Sequence, residues 1–319
     1  MEKPLVSFIL TYFNLPVEML CECIDSILAL SLRPQEKEVI VIDDGSEFSP
    51  MNDLMRYGDN IIYVRQQNQG LSGARNTGIQ MATGKYLQFV DGDDLLAKAP
   101  YEHCLDIIRK NHPEMVIFDF TKTSPEDKSY KDNPLQSGSD YMRHQNIRGT
   151  ACGYLLRHSI LGDLRFTPGI YHEDEEFTPQ LLLRAETVCV TDAKAYHYRV
   201  RSGSIITDVH IRKKIKRFND MKGILLRLNT IADRLPTNDR TALQRRVAQL
   251  TMDYLYNIIL QTKSRHYLDR KIAELRNIGL FPLPDKDYTN KYKWFRRLTN
   301  SPKGISLLMR IIPLTKKER

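Results

Sequence analysis

An α/β fold built on a largely parallel sheet covered by helices is predicted for this 319-residue chain, and three observations predict it. Strand-length apolar runs recur at 5–10, 38–42, 61–64, 86–90 and 115–120, helical spacing fills most of the gaps, and the residues just after the first, second and fourth runs are polar, acidic or aromatic. Strands alternating with helices imply a parallel sheet with both faces covered, and in such sheets ligands bind beyond the carboxyl ends of the strands.

The first run ends in Thr11-Tyr12-Phe13-Asn14, and Pro16 is placed to open a helix whose Leu20, Ile24, Ile27 and Leu28 share one face. The second run ends in Asp43-Asp44-Gly45-Ser46. After the third, residues 72–82 read as a helix closed by Gly84. The fourth ends in Asp91-Gly92-Asp93-Asp94, and the fifth completes the series. Residues 121–147, rich in Ser, Asp, Lys and Pro, read as a polar insertion or mobile loop. From about residue 211 the pattern is helical throughout, with Leu225, Leu226, Leu228, Leu250, Tyr254, Ile258 and Ile259 as apolar faces. The expected division is therefore a domain at 1–210 and a helical region at 211–319.

Hydrophobic and charged fractions of 41% and 27% suit a globular protein, and no stretch approaches the roughly 18 apolar residues of a membrane span. The N-terminal apolar segment is too short for a signal-peptide core, and five cysteines without a CxxC pair suit a reducing cytoplasm. The net charge of +8 is uneven: residues 211–319 hold about 26 Lys and Arg against about 9 Asp and Glu, and the rest of the chain is mildly acidic.

Three carboxylates within Asp91-Gly92-Asp93-Asp94 would repel one another unless a cation or protons neutralised them, and oxygen-only ligands select a hard ion such as Mg2+ or Mn2+. A bare acidic turn is more often a helix cap, so context has to carry the metal reading. Asp44 at a strand tip suits the imide N–H of uracil, thymine or guanine, and Phe13 offers a ring for base stacking. The glycine-rich stretch from Gly70 to Asn76 could present backbone N–H groups and Arg75 to a phosphate, or serve only as a small-residue helix start.

Taken in order, these pieces resemble the family-two inverting glycosyltransferases of the GT-A fold. The resemblance rests on residues 6–14, 41–46, 68–78 and 84–94, and continues more loosely to about residue 205. It implies a mostly parallel sheet flanked by helices, with a Rossmann-like nucleotide-binding half. It also implies a nucleoside-diphosphate-sugar donor, with Thr11, Phe13 and Asp44 on the base and Asn14 and Asp43 beside them. Asp91 would reach the ribose or sugar, Asp93 would ligate the metal together with Asp91, and Arg75 would lie near the nucleotide or sugar. The general base falls in the His172-Glu173-Asp174-Glu175-Glu176 segment, at Asp174 with Glu173 second, although the same residues read alone as an acidic helix start. Arg199 and Arg201, in a Tyr-Arg-x-Arg-x-Gly-Ser-like segment, would close over the diphosphate, and His197 is either a third metal ligand or a hydrogen-bonded partner of that lid.

Direct displacement needs one base, because a nucleoside diphosphate is already a good leaving group. The basic helices, with Lys213-Lys214, Arg245-Arg246, Tyr292, Trp294, Phe295 and a tail at 311–319, suit an anionic membrane face at the cytoplasmic side and a saccharide or lipid-linked saccharide acceptor. No nucleic-acid recognition motif accompanies the charge. Two rivals remain at this stage. A sugar-phosphate nucleotidyltransferase would carry a glycine-rich basic loop where this chain has Thr-Tyr-Phe-Asn, and a non-catalytic binding protein of the same fold would have no need of Asp93, Asp174 and Arg199.

Overall fold

The computed structural model describes residues 3–123, 129–200 and 211–314, which divide into two compact units. The first unit comprises residues 1–138 and 148–208. In chain order its elements are β1 (Val6–Tyr12), α1 (Val17–Leu28), β2 (Lys37–Asp43), α2 (Met51–Leu54), β3 (Ile62–Arg65), α3 (Gly70–Met81), β4 (Tyr86–Asp91) and β5 (Leu95–Leu96). They continue as α4 (Lys98–Lys110), β6 (Met115–Ile117), β7 (Phe120–Thr121), β8 (Tyr154–Arg157), α6 (Glu173–Leu183), β9 (Val188–Val190) and β10 (Tyr196–His197), while α5 (Gly138–His144), between β7 and β8 in the chain, falls in the second unit from residue 139 on. Seven strands form one sheet in the order β3-β2-β1-β4-β8-β6-β9, with β8 alone antiparallel to its neighbours.

Every residue of β1 is buried, as a central strand covered on both faces requires. Its register sets Thr11 opposite Asp91 and Tyr12 opposite Asp43, so the polar residues at three strand ends share one edge of the sheet. Helix α3 lies directly on β1, where a Cβ on Gly78 would come within 2.1 Å of the Ile9 Cγ2.

The predicted α/β alternation and parallel sheet are present, with three local differences. The fifth apolar run is interrupted: the chain leaves β6, bonds through the Phe118 and Asp119 N–H groups to the Gly153 and Ala193 carbonyls, and then enters a second sheet, β5-β10-β7. Gly84 does not close α3, which ends at Met81; it lets the chain pass β1, where a Cβ would meet the Ser7 backbone N at 2.7 Å. Residues 121–147 are not wholly irregular, because Asp132 and Gln136 bridge Thr191 and Val188 and α5 follows.

The second unit comprises residues 139–147 and 209–319. It contains α7 (Ile211–Ala232), α8 (Thr237–Thr262), α9 (Arg265–Asn277), α10 (Asn290–Thr299) and α11 (Pro302–Ile311). Ser264, Thr289 and Ser301 cap the last three, each side-chain oxygen accepting a backbone N–H of the first turn. Several of its cations are spent internally: Arg245 and Arg246 are buried and donate to the Arg143 and Ile147 carbonyls, and Arg296 pairs with Asp285. Of the three aromatics expected to face a membrane, Tyr292 and Phe295 are core residues and Trp294 is 63% exposed. Among the described residues no helix is long and apolar enough to cross a membrane.

Candidate active site

The turn after β2 separates two adjacent aspartates by role. Gly45 adopts φ +75°, and a Cβ there would meet the Asn68 N at 2.9 Å, so only glycine fits. Asp43 is fully enclosed: its Oδ1 accepts the Ser46 N–H at 2.8 Å, its Oδ2 accepts the Tyr63 hydroxyl at 2.8 Å, and Arg65 lies at 3.6 Å. Those bonds make it the residue that holds the turn. Asp44 accepts the Gln66 amide at 2.7 Å and the Gln69 N–H at 2.9 Å, both on Oδ1. Thr77 fixes Gln66 in turn, at 2.6 Å.

After β1, Asn14 takes a left-handed φ of 48°, which asparagine tolerates better than most residues. Its N–H bonds the Ser46 hydroxyl and its Oδ1 accepts the Glu47 N–H, so it ties two tip loops together. Phe13 beside it is 47% exposed. Thr11 is buried, and its carbonyl accepts the Gly92 N–H at 3.0 Å, a close approach that a Cβ on Gly92 would block at 2.8 Å.

Arg75 links the acidic turn to the distant acidic segment. The guanidinium is 4% exposed, donates to Asp91 Oδ1 at 3.0 Å and Glu173 Oε1 at 2.7 Å, and lies 5.3 Å from the Phe166 ring centroid. Burial opposes its charge, but Asp91 and Glu173 outweigh that and hold it more firmly protonated than usual. Asn76 clamps the Phe166 backbone with two bonds of 2.9 Å, and Phe166 stacks on Phe177 of α6 at 3.8 Å. That packing seats the N-terminus of α6, where His172 turns the chain with φ 64° and Asp174 follows. Burial first, then the charges of Glu173 and Glu175, push Asp174 up to about 8, against the pull of Arg75 and the Glu175 N–H.

In the acidic turn, burial and then the charge of Asp91 push Asp94 up to about 7; the Arg199 N–H pulls it down, Asp93 adds to the rise and the Tyr196 hydroxyl opposes it. Two cations already reach this turn, Arg75 at Asp91 and Arg199 at the Asp93 carbonyl, and its three carboxylates still suit a divalent cation. Among the described residues no three His, Cys, Asp or Glu side chains form a closed metal cage, and His197 in β10 is not gathered with Asp91 and Asp93. An ion held by one or two carboxylates and completed by substrate phosphates and water needs no cage. The Arg199 side chain is held by the Asp93 carbonyl, Glu22 and, at 2.9 Å, the Met19 carbonyl on α1. Arg201 lies outside the described residues.

Gln66, Gln69 and Tyr196, which bonds the Asp91 N–H at 3.1 Å, support the site without having been anticipated. Asn76 sat inside a motif that was legible, but its partner was not.

The profile of the family described as Glycosyl transferase family 2 matches residues 7–164. The chain is 29% identical over 235 residues to the uncharacterized glycosyltransferase EpsJ of Bacillus subtilis, covering 66% of this chain and 67% of EpsJ. It is 25% identical to the minor teichoic acid biosynthesis protein GgaB of the same organism, covering 61% of this chain but only 23% of GgaB. Among solved structures it is similar to S. aureus TarS 1-349 in complex with UDP-GlcNAc, at TM-score 0.58 and 16% identity over 92% of this chain and 91% of that one. It is also similar to the mannosyltransferase PcManGT of Pyrobaculum calidifontis in complex with GDP-Man and Mn2+, at TM-score 0.56 and 14% identity over 99% and 89% of the two chains.

Proposed function

This chain belongs to glycosyl transferase family 2, with a fold of the GT-A type, and on that premise we propose an inverting transfer from a nucleoside-diphosphate-sugar, preferentially a UDP-sugar, to a hydroxyl of a saccharide or lipid-linked saccharide in surface polysaccharide synthesis. The observation that carries the reading is the Arg75 bridge, which joins Asp91 at the tip of β4 to Glu173 at the start of α6 and so brings Asp174 to the same site.

In this reading Asp44 keeps Oδ2 for the imide N–H of uracil while Gln66 and Gln69 hold Oδ1, Phe13 stacks on the base, and the Thr11 end of β1 forms the floor. Asp93, with Asp91, would hold Mn2+ or Mg2+, which when bound neutralises charge on the diphosphate. Asp174 accepts the proton of the acceptor hydroxyl as that oxygen attacks the anomeric carbon from the face opposite the leaving group. Its upward shift suits a general base working near neutral pH. Glu173 and Arg75 position it. The UDP-GlcNAc complex of TarS and the GDP-Man and Mn2+ complex of PcManGT support a nucleotide-sugar donor and a divalent ion, and the name of GgaB supports a cell-envelope product.

Peripheral contact with an anionic membrane is part of the proposal. Leu307, Ile311 and Leu314 are exposed at four- and three-residue spacing along and just past α11, a stripe suited to the interface. Exposed Trp294 on α10 is a further apolar group suited to the same interface.

Heat-shift measurements with UDP-, GDP- and dTDP-sugars, each with and without Mn2+, test the donor and the metal together. A UDP-sugar should stabilise the chain most, more so with Mn2+, and Asp93→Asn should erase the metal-dependent part. A variant that keeps the whole shift, or a chain that never releases nucleoside diphosphate from any donor, would overturn the reading.

A further inference from the structure

We propose that the first unit carries a second ligand site, at the end of the sheet opposite the strand tips, that takes a small phosphate-bearing molecule. A cavity of about 600 Å³, within the range of small-ligand pockets, opens there beside the start of β4 and the end of β8. Tyr86, at the first position of β4, contributes to its wall. Five steps along the strand separate Tyr86 from Asp91, about 16 Å, so this cavity is distinct from the proposed donor site.

Its lining is cationic. Lys3, Lys85, Arg157 and Arg165 border it together with His112 and His158, and no Asp or Glu does. Among the described residues none of the four Lys and Arg side chains has a carboxylate partner, although ion pairs are common elsewhere in the chain. Backbone carbonyls aim the arginines: Arg157 donates to that of His112, and Arg165 to those of Gly162 and Leu164 at 2.9 and 2.8 Å. The Arg157 guanidinium also lies 5.9 Å from the Tyr86 ring centroid. The Nδ1 of His158 faces the Gly84 carbonyl at 3.2 Å and so carries a hydrogen.

Cations brought together from separated stretches of chain, with no carboxylate in the lining and only Asp163 beside Arg165 to offset them, repel one another until an anion enters. Two guanidinium forks and two ammonium groups in a concave site match the oxygens of a phosphate or diphosphate group. The volume of this open cleft is enough for a sugar phosphate or nucleotide. The inference does not rest on the transferase reading.

Titration calorimetry with inorganic pyrophosphate, on the full chain in EDTA, tests it with three proteins: the unaltered chain, Asp93→Asn, and the double variant Lys85→Glu/Arg165→Glu, whose altered side chains are exposed. The first two should bind equally, and the double variant about tenfold or more weakly. If that variant misfolds by circular dichroism, Lys85→Ser/Arg165→Ser replaces it with the same expectation. Absence of binding by the unaltered chain, full binding by the double variant, or loss only in Asp93→Asn overturns the proposal. A lipid headgroup is separated from a free phosphate by phosphatidylglycerol vesicles: vesicle binding that needs Lys85 and Arg165 but is not displaced by pyrophosphate refutes the small-molecule site.

Discussion

Replacing Arg75 by Met removes the cation between Asp91 and Glu173 while keeping an unbranched chain beneath the Phe166 ring. Breaking a buried pair by deleting one partner costs about 3–5 kcal/mol, because the remaining charge is left without compensation. Glu173 is enclosed, but Asp91 is 35% exposed and can turn toward water, so the low end applies, about 3 kcal/mol. For a unit of this size that corresponds to a fall in Tm of about 6–12 °C. Near-UV circular dichroism during heating, repeated between pH 4 and 8, reads it. Without the guanidinium, two carboxylates are left close together with no cation between them, and acid relieves that cost by discharging them. The deficit should therefore be largest at neutral pH and shrink toward about pH 4. Adding Glu173→Gln should restore about 1 kcal/mol or more, since it discharges the stranded partner. An Arg75→Met chain within about 0.5 kcal/mol of the unaltered one at pH 7, or a deficit that ignores pH, would refute the electrostatic account.

Asp174→Asn should lower transfer by roughly 10²–10⁴-fold while preserving the fold, and in the unaltered chain kcat/KM should rise with pH toward a limb near 8, which the variant lacks. Because the Asp174 carboxyl titrates above its unfolded value, its contribution to stability is present below about pH 4 and lost as pH rises through about 8. Asp174→Asn should accordingly gain stability relative to the parent in that window, measured by urea midpoints. Asp44→Asn should weaken UDP binding about tenfold in calorimetry, since an amide can present an N–H where the base offers its own; equal affinity would remove Asp44 from the base site. Gly78→Ala should destabilise by about 1–3 kcal/mol, as its methyl would press on Ile9; a neutral result would mean α3 does not lie so close to β1. Leu307→Glu with Ile311→Glu should abolish sedimentation with anionic vesicles, and unchanged sedimentation would dismiss the α11 stripe.

The parts legible in the sequence were those set by local pattern. Buried parallel strands read as continuous apolar runs, and their tips announced themselves by an abrupt change to polar residues, so the edge shared by Thr11, Asp44 and Asp91 was foreseeable. Which partners each of two neighbouring aspartates takes was not, because that depends on a turn whose Gly45 geometry is fixed by contact with Asn68. The sequence sets Arg75 near the nucleotide or sugar, but its partner Glu173 lies 98 residues away, a pairing with no local signature. Strands β8, β9 and β10, of four, three and two residues, are too short to show a period. Arg199 looked free because the α1 carbonyl that receives it leaves no mark on the neighbouring sequence.

Residues 139–147 depart from the first unit, join the helical one and return at Arg148. Within that second unit the excursion receives the Arg245 and Arg246 guanidinium groups, and its Met142 and Ile147 side chains are buried. A truncation made anywhere near residue 210 would thus strip an inner piece of chain of the guanidinium groups that bond its carbonyls. The two units are sewn together by a double stitch, and separating them for study calls for grafting a short linker across 138 and 148 as well as cutting the chain.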